Sequence, residues 1–345
     1  MGFLHQGLKS FQKIKTSELE VSGKIKVVEI SPSQLVVIAV EKTGNHIEIS
    51  NFRIEPRPKS SEAISERLKT IFLEEALEPK DVRTCLKTEG MVVRILTFPQ
   101  MKRSELASML QFEVEKYIPF KASEIMMDFD ILEEGAGESD AKMLEMILVA
   151  VKQNEVRDLC RIFQDANIGL KSMGVSALSF VNAIEFAFPE TQQSTLGFLD
   201  LGTENTTFGI ASKGKPVFIR DISFGSVDIL KVLRRKLGAE IDKIQLGSLE
   251  HKAAAEQAVD NLINEVKLSL GYYMERIAGA KPMEMLFVTG EGFRYFPNLT
   301  YLEQQLKVPV RKPEIIGKIK PHSRVDQALI QTHQDLLVTV LGLCL

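Results

Sequence analysis

Residues 196–222 read LGFLDLGTENTTFGIASKGKPVFIRDI. Three apolar runs rich in β-branched and aromatic residues are separated by a Gly-Thr-Glu-Asn turn and by Lys213-Gly214, the pattern of a three-stranded β-meander. An earlier stretch echoes it. KIKVVEI (24–30) and QLVVIAV (34–40) flank Ser31-Pro32-Ser33, and a third strand follows over Ile47 to Ile54. Two related meanders, each feeding helices, predict an α/β architecture of two duplicated halves around a cleft, a common place for a ligand.

Working outward, the first meander leads into a helix over Ser61 to Ala76, with Ile64, Leu68, Ile71 and Phe72 as its apolar face, and a strand over Val82 to Lys87. The pattern then changes to strand (92–98), helix (103–117), strand (125–132), acidic glycine loop (133–140) and strand (143–151), a β-α-β-β block able to stand as a small inserted subdomain. A helix over Gln153 to Ala166 resumes the first half. The second meander is followed by helices at 226–238 and 252–277, a strand ending at Gly290, a helix at 298–306 and a final helix at 325–344. The boundaries expected are a tail over 1–24, a first half over 25–90 and 153–190 completed by helix 325–345, an insert over 91–152, and a second half over 195–324.

The bulk properties exclude several classes. Over 345 residues, 44% hydrophobic and 26% charged residues with a net charge of −3 describe a globular chain with no basic excess for nucleic acid. Cys85, Cys160 and Cys344 lie far apart, and no histidine has metal-ligand spacing, so neither a disulfide framework nor zinc is indicated and a reducing cytoplasm fits. The longest apolar run, Leu336 to Leu345, is half of the roughly 20 residues a membrane span needs. Leu4, Leu8, Phe11 and Ile14 fall on one helical face beside Lys9, Lys13 and Lys15, which suits a partner-packed start or contact with an anionic membrane surface.

Two turns and one knuckle carry candidate chemistry. Asp200, Gly202, Thr203 and Thr206 place an acid at the end of a buried strand before a glycine turn with hydroxyls. Such a turn can hold phosphate, with Asp200 holding magnesium through water, and reads equally as a hairpin whose aspartate caps its own turn. Gly290 and Gly292 end another buried strand, where glycine lets a flat ring or a backbone approach. The third feature is Glu113 to Phe120, reading EVEKYIPF, where Pro119 forces a helix to stop beside Tyr117, Ile118 and Phe120. Taken alone it is a helix end packing its own aromatic cover.

In combination these segments resemble the actin-like ATPase superfamily. Phe98-Pro99, Glu115 to Phe120, Phe218 to Ile222 and Ser269 to Tyr273 resemble, more closely, the PilM family of cytoplasmic actin-like proteins in type IV pilus assembly machines, over roughly residues 25 to 345. The inserted subdomain has the position of that in the division protein FtsA. The resemblance implies a scaffold rather than a catalyst: a cytoplasmic protein, peripheral at the inner membrane, that binds the N-terminal peptide of PilN. Through PilN it would reach the pilus alignment complex, with the pilus motor ATPases as further partners and membrane association through those partners. It places Tyr117, Ile118, Pro119 and Phe120 in or behind the peptide groove. For ATP with magnesium it assigns Asp200, Gly202, Thr203, Thr206, Gly290 and Gly292, with Glu265 at the ribose.

The nucleotide side departs from the family pattern. Where the first phosphate loop carries aspartate, glycine and lysine, this chain has Glu29-Ile30-Ser31-Pro32-Ser33-Gln34-Leu35-Val36, and Leu268 replaces an arginine of the adenosine-contacting helix. Losing a charged phosphate contact costs about 1.5–3 kcal/mol, so weak or absent ATP binding is expected. An active ATP-driven switch, and a related secretion-system or division platform, are the alternatives.

Overall fold

The structure is a computed structural model describing residues 23–43, 46–88, 90–136, 143–238, 248–277 and 279–345. The amphipathic start at Leu4 to Ile14 and part of the acidic loop at 133–140 lie outside the described residues. Contacts divide the chain into two compact units. The first holds the residues through Ile30, 35–46 and 50–175, and the second holds 31–34, 47–49 and 176–345.

In the first unit, β1 (Gly23–Ile30) pairs antiparallel with β2 (Gln34–Thr43) and parallel with β4 (Val82–Leu86), and β4 pairs parallel with β8 (Leu170–Val175). With β3 (His46–Pro56) the strand order is β3-β2-β1-β4-β8. Leu35 to Val40 are buried without a break, because a sheet covered on both faces needs an apolar run rather than alternation. Helix α1 (Ser61–Glu74) starts where the Ser60 hydroxyl accepts the Ala63 N–H at 3.2 Å. Its stripe of Ile64, Leu68, Ile71 and Phe72 shares a core with Ile162 and Phe163 of α3 (Gln153–Asp165). Burial of each such side chain stabilises by about 1.5–3 kcal/mol.

The same unit carries the insert: β5 (Met91–Pro99), α2 (Arg103–Glu113), β6 (Ile125–Ala136) and β7 (Met143–Lys152), an antiparallel sheet in the order β5-β7-β6. Leu106, Leu110, Val114 and Ile118 pack onto Leu144, Met146, Leu148 and Ala150, which alternate along β7 and so share one face. Two boundaries differ from the sequence reading. The helix expected to reach residue 117 ends at Glu113 and tightens into a 3₁₀ turn, Val114–Lys116, as the chain turns toward Pro119. The loop expected from residue 133 is still strand, because β6 absorbs its extra residues as register shifts around Glu133 to Ala136, with Gly135 at φ 78°.

The second unit repeats the first sheet. β9 (Thr195–Leu201), β10 (Thr206–Ser212) and β11 (Lys215–Ile222) form the antiparallel meander, and β12 (Met285–Thr289) and β13 (Val310–Arg311) add in parallel, giving β11-β10-β9-β12-β13. This is the same five-strand order as β3-β2-β1-β4-β8, so the duplication expected from the two meanders is present in the strand topology. Helices α4 (Ser176–Ala187), α5 (Ser226–Leu237), α6 (Leu249–Arg276) and α7 (Leu299–Leu306) complete it, with Phe208, Ile229, Val259, Leu262 and Val288 at the core. A short β14 (Lys320–Pro321) pairs with Glu48 and Ile49.

The expected C-terminal helix is two, α8 (Gln327–Thr332) capped by Asp326 and α9 (Gln334–Gly342), broken at His333. The compact units part between Val175 and Ser176, whereas the boundaries read from the sequence give 176–190 and 325–345 to the first half. The packing of α4 against β9, β10 and β11 accounts for the difference, and α9 follows α4: Gly342 lies so near Ser179 that a Cβ there would meet its carbonyl oxygen at 1.8 Å.

Candidate functional sites

Within the second unit, four segments converge. The β9–β10 turn is closed by the Gly202 N–H donating to the Asn205 carbonyl at 3.0 Å, and Ser226 and Val227 at the start of α5 donate their N–H groups to the carbonyls of Gly202 and Thr203. The loop after β12 enters through Gly290 at φ 103°, where a Cβ would stand 2.4 Å from the Leu201 oxygen and 2.6 Å from Asp200 Oδ1. Only glycine fits there. Main-chain oxygen of Asp335 accepts the Gly290 N–H at 3.2 Å and the Thr289 hydroxyl, fixing the loop from behind.

The centre of this arrangement is Glu291. Its carboxylate accepts hydrogen bonds from the hydroxyls of Ser33 at 2.5 Å, Ser226 at 3.3 Å and Thr203. The Ser31–Gln34 turn belongs to this unit, so all three donors and the acceptor lie in one compact body.

The residues expected to serve a nucleotide are only partly together. Asp200, Gly202, Thr203, Gly290 and Gly292 meet around the β9 end. Thr206 is fully buried at the start of β10 and gives its hydroxyl to the Phe224 carbonyl at 2.7 Å, so it ties α5 to the sheet. Glu265 on α6 pairs with Arg220 at 2.8 Å, and Arg220 also donates to the Ser269 hydroxyl. Leu268 is 64% exposed. Among the described residues no three His, Cys, Asp or Glu side chains come together to hold a metal. In this arrangement the hydroxyls of Ser33, Thr203 and Ser226 are turned onto a carboxylate of the same unit. Glu291 sits in the motif read from the sequence, but its role was missed. The available signal was an acid placed between two loop glycines.

Within the first unit there is a cavity of about 660 Å³. Met126, Met127 and Asp128 of β6, Val149 and Val151 of β7, Val156, Arg157, Cys160 and Arg161 of α3, and the stretch from Gly169 to Met173 wall it. Both β6 and β8 stand at the end of their sheets in the strand order, so two sheet edges border one apolar-walled space with basic groups at its rim. Burial pushes the Cys160 thiol above its ordinary range.

The knuckle residues lie elsewhere in the insert. Tyr117 meets Phe98 edge-on with centroids 5.6 Å apart, Ile118 is in the core, Pro119 is exposed, and Phe120 lies 5.2 Å beneath the Lys152 ammonium. They brace the sheet that carries β6. In the first meander, Glu29 is buried and pairs with Lys87 at 2.9 Å.

The fold is that of the actin-like ATPases, and the chain belongs to the family described as Type IV pilus assembly protein PilM, which matches residues 21–345. Among solved structures it is similar to a PilM-PilN type IV pilus biogenesis complex, at 20% identity and a TM-score of 0.78 over 94% of this chain and 97% of that one. It is similar also to the ethanolamine utilization protein EutJ from Carboxydothermus hydrogenoformans, at 11% identity and a TM-score of 0.53 over 93% and 89%. No helix among the described residues is long and apolar enough to cross a membrane.

Proposed function

We propose that this chain is a platform of the type IV pilus machine, peripheral at the cytoplasmic face of the inner membrane, that takes the N-terminal peptide of a PilN-type partner in the cavity of the first unit. The observation that carries this reading is the pair of sheet edges, β6 and β8, bordering that cavity. An extended peptide adds to such an edge through main-chain hydrogen bonds while alternate side chains enter apolar walls. Arg157, Arg161 and Lys171 at the rim offer cationic donors to peptide carbonyls. Tyr117, Ile118, Pro119 and Phe120 act behind the groove by holding the β5-β7-β6 sheet in shape. Through the peptide the chain couples to the pilus alignment complex and its motors.

Nucleotide binding in this reading is weak or absent. Glu291 among the hydroxyls, Pro32 in the first turn and Arg220 on Glu265 all support it.

Calorimetric titration with a synthetic PilN N-terminal peptide tests the proposal. Binding at about micromolar affinity is expected, weakened at least about tenfold by Ser172→Trp, whose indole projects bulk from the wall of the cavity at the β8 edge. Equal affinity in the variant, or no binding to the unaltered chain, would refute the groove assignment. Heat from MgATP at micromolar concentration would refute the nucleotide part.

A further inference from the structure

The turns that would present donors to an anion already hold one. Three hydroxyls from three separate segments, Ser33 before β2, Thr203 after β9 and Ser226 opening α5, donate to the single carboxylate of Glu291. Among the described residues no lysine or arginine forms an ion pair with it, so the side chains that bond to it are neutral hydroxyl donors. Serine and threonine hydroxyls in turns and at a helix start are also donors that phosphate oxygens use.

The carboxylate is held in place from its own side as well. Gly290 and Gly292 seat the loop against Leu201 at distances where a Cβ at either position would come within 2.4 Å of it. Thr289 and Gly290 are tied to the Asp335 carbonyl. Four anchors leave little freedom to the residue between them, so the side chain is preorganised for the hydroxyls.

We infer that Glu291 is a built-in anion occupying the phosphoryl position of the second unit. It closes the three segments on one another without a ligand, and it excludes phosphate-bearing molecules by occupying the donors and by like-charge repulsion. The class of ligand kept out is phosphate, free or at the end of a nucleotide. The inference stands on the hydroxyl geometry and is independent of the peptide groove.

The test titrates inorganic phosphate, and separately MgATP, at constant ionic strength into the full chain and its Glu291→Gln and Glu291→Ala variants. Thermal unfolding of each sample accompanies the titrations. Phosphate should bind both variants at least about tenfold more tightly than the unaltered chain, and Thr203→Val in the Glu291→Ala background should abolish the gain. The glutamine variant keeps the side-chain volume and an acceptor for the hydroxyls, so it carries the test if the alanine variant does not fold. A gain for MgATP beyond that for phosphate would identify an adenosine contact in addition to the phosphoryl site. Variants that unfold cooperatively yet bind phosphate no better than the unaltered chain would overturn the inference and leave the weak-nucleotide reading intact. Tight phosphate or MgATP binding by the unaltered chain, unchanged in the variants, would overturn both.

Discussion

Lys312 and Asp335 are joined by an ion pair of 2.5 Å, and the same aspartate offers its main-chain oxygen to the Gly290 N–H and the Thr289 hydroxyl. One residue thus links the strand β13 exit, the start of α9 and the loop that carries Glu291.

Removing the cation should loosen that junction. With both side chains about a third exposed or less, Lys312→Ala should lower unfolding free energy by about 1 kcal/mol at low salt and by less at about 0.5 M salt. Urea unfolding at the two salt concentrations measures it; an equal loss at both would show that packing rather than charge is responsible.

Tyr301 donates its hydroxyl to the Asp260 carboxylate at 2.6 Å, and this bond, aided by burial, pushes the phenol up to about 12. Because the folded state raises the value, the stabilisation is complete below the unfolded phenol value near 10 and is lost as pH rises toward 12. Tyr301→Phe should therefore cost about 1 kcal/mol at pH 7, with the difference from the unaltered chain closing above about pH 10. A difference constant from pH 7 to pH 12 would exclude the hydrogen bond as its source.

Leu68 is fully buried between α1 and the first sheet. Leu68→Ala leaves a cavity there and should destabilise the first unit by about 2–5 kcal/mol. Hydrogen exchange would place the loss: amides of β1, β2 and α1 should open sooner, while those of β9 and β10 should be unchanged. Uniform acceleration in both sheets would mean that the two units unfold as one.

Cys160 faces the cavity, whereas Cys85 and Cys344 are buried. A thiol held above its ordinary range carries less thiolate at neutral pH, so alkylation of Cys160 should be slower than that of a free cysteine and should accelerate with rising pH. Occupation of the cavity by the peptide should slow it further. Mass spectrometry of iodoacetamide-treated protein reads both effects, and identical rates with and without peptide would separate the cavity from peptide binding.

How much was legible depended on whether the signal was local. The two meanders could be read because buried strands are written as continuous apolar runs punctuated by turn residues, and their shared strand order follows from that repetition. The insert was legible because its strands are short apolar runs, such as VVRILTF at 92–98 and MLEMILVAV at 143–151, set on either side of a helical stretch. The break at His333 was not: it falls in a run of polar residues, Gln331 to Asp335, that holds neither glycine nor proline to mark a helix end, and the capping residue Asp326 marks only the first of the two starts. Thr206 reads as a ligand in a hydroxyl-rich turn, yet its burial against Phe224 is decided by where α5 lands. The cavity is set by two sheet edges brought together by strands some forty residues apart, and Glu291 by donors at 33, 203 and 226. No window of sequence contains either.

The contact of α9 with α4 sets an order on biosynthesis. Gly342, the close neighbour of Ser179, is made about 160 residues after it, so at roughly 5–20 residues per second the ribosome holds the second unit incomplete for on the order of ten to thirty seconds. During that interval the first unit, whose strands lie between 23 and 175, has all of its sequence available. The residues that wall the cavity of the first unit are therefore all synthesised before the unit containing Glu291 can close.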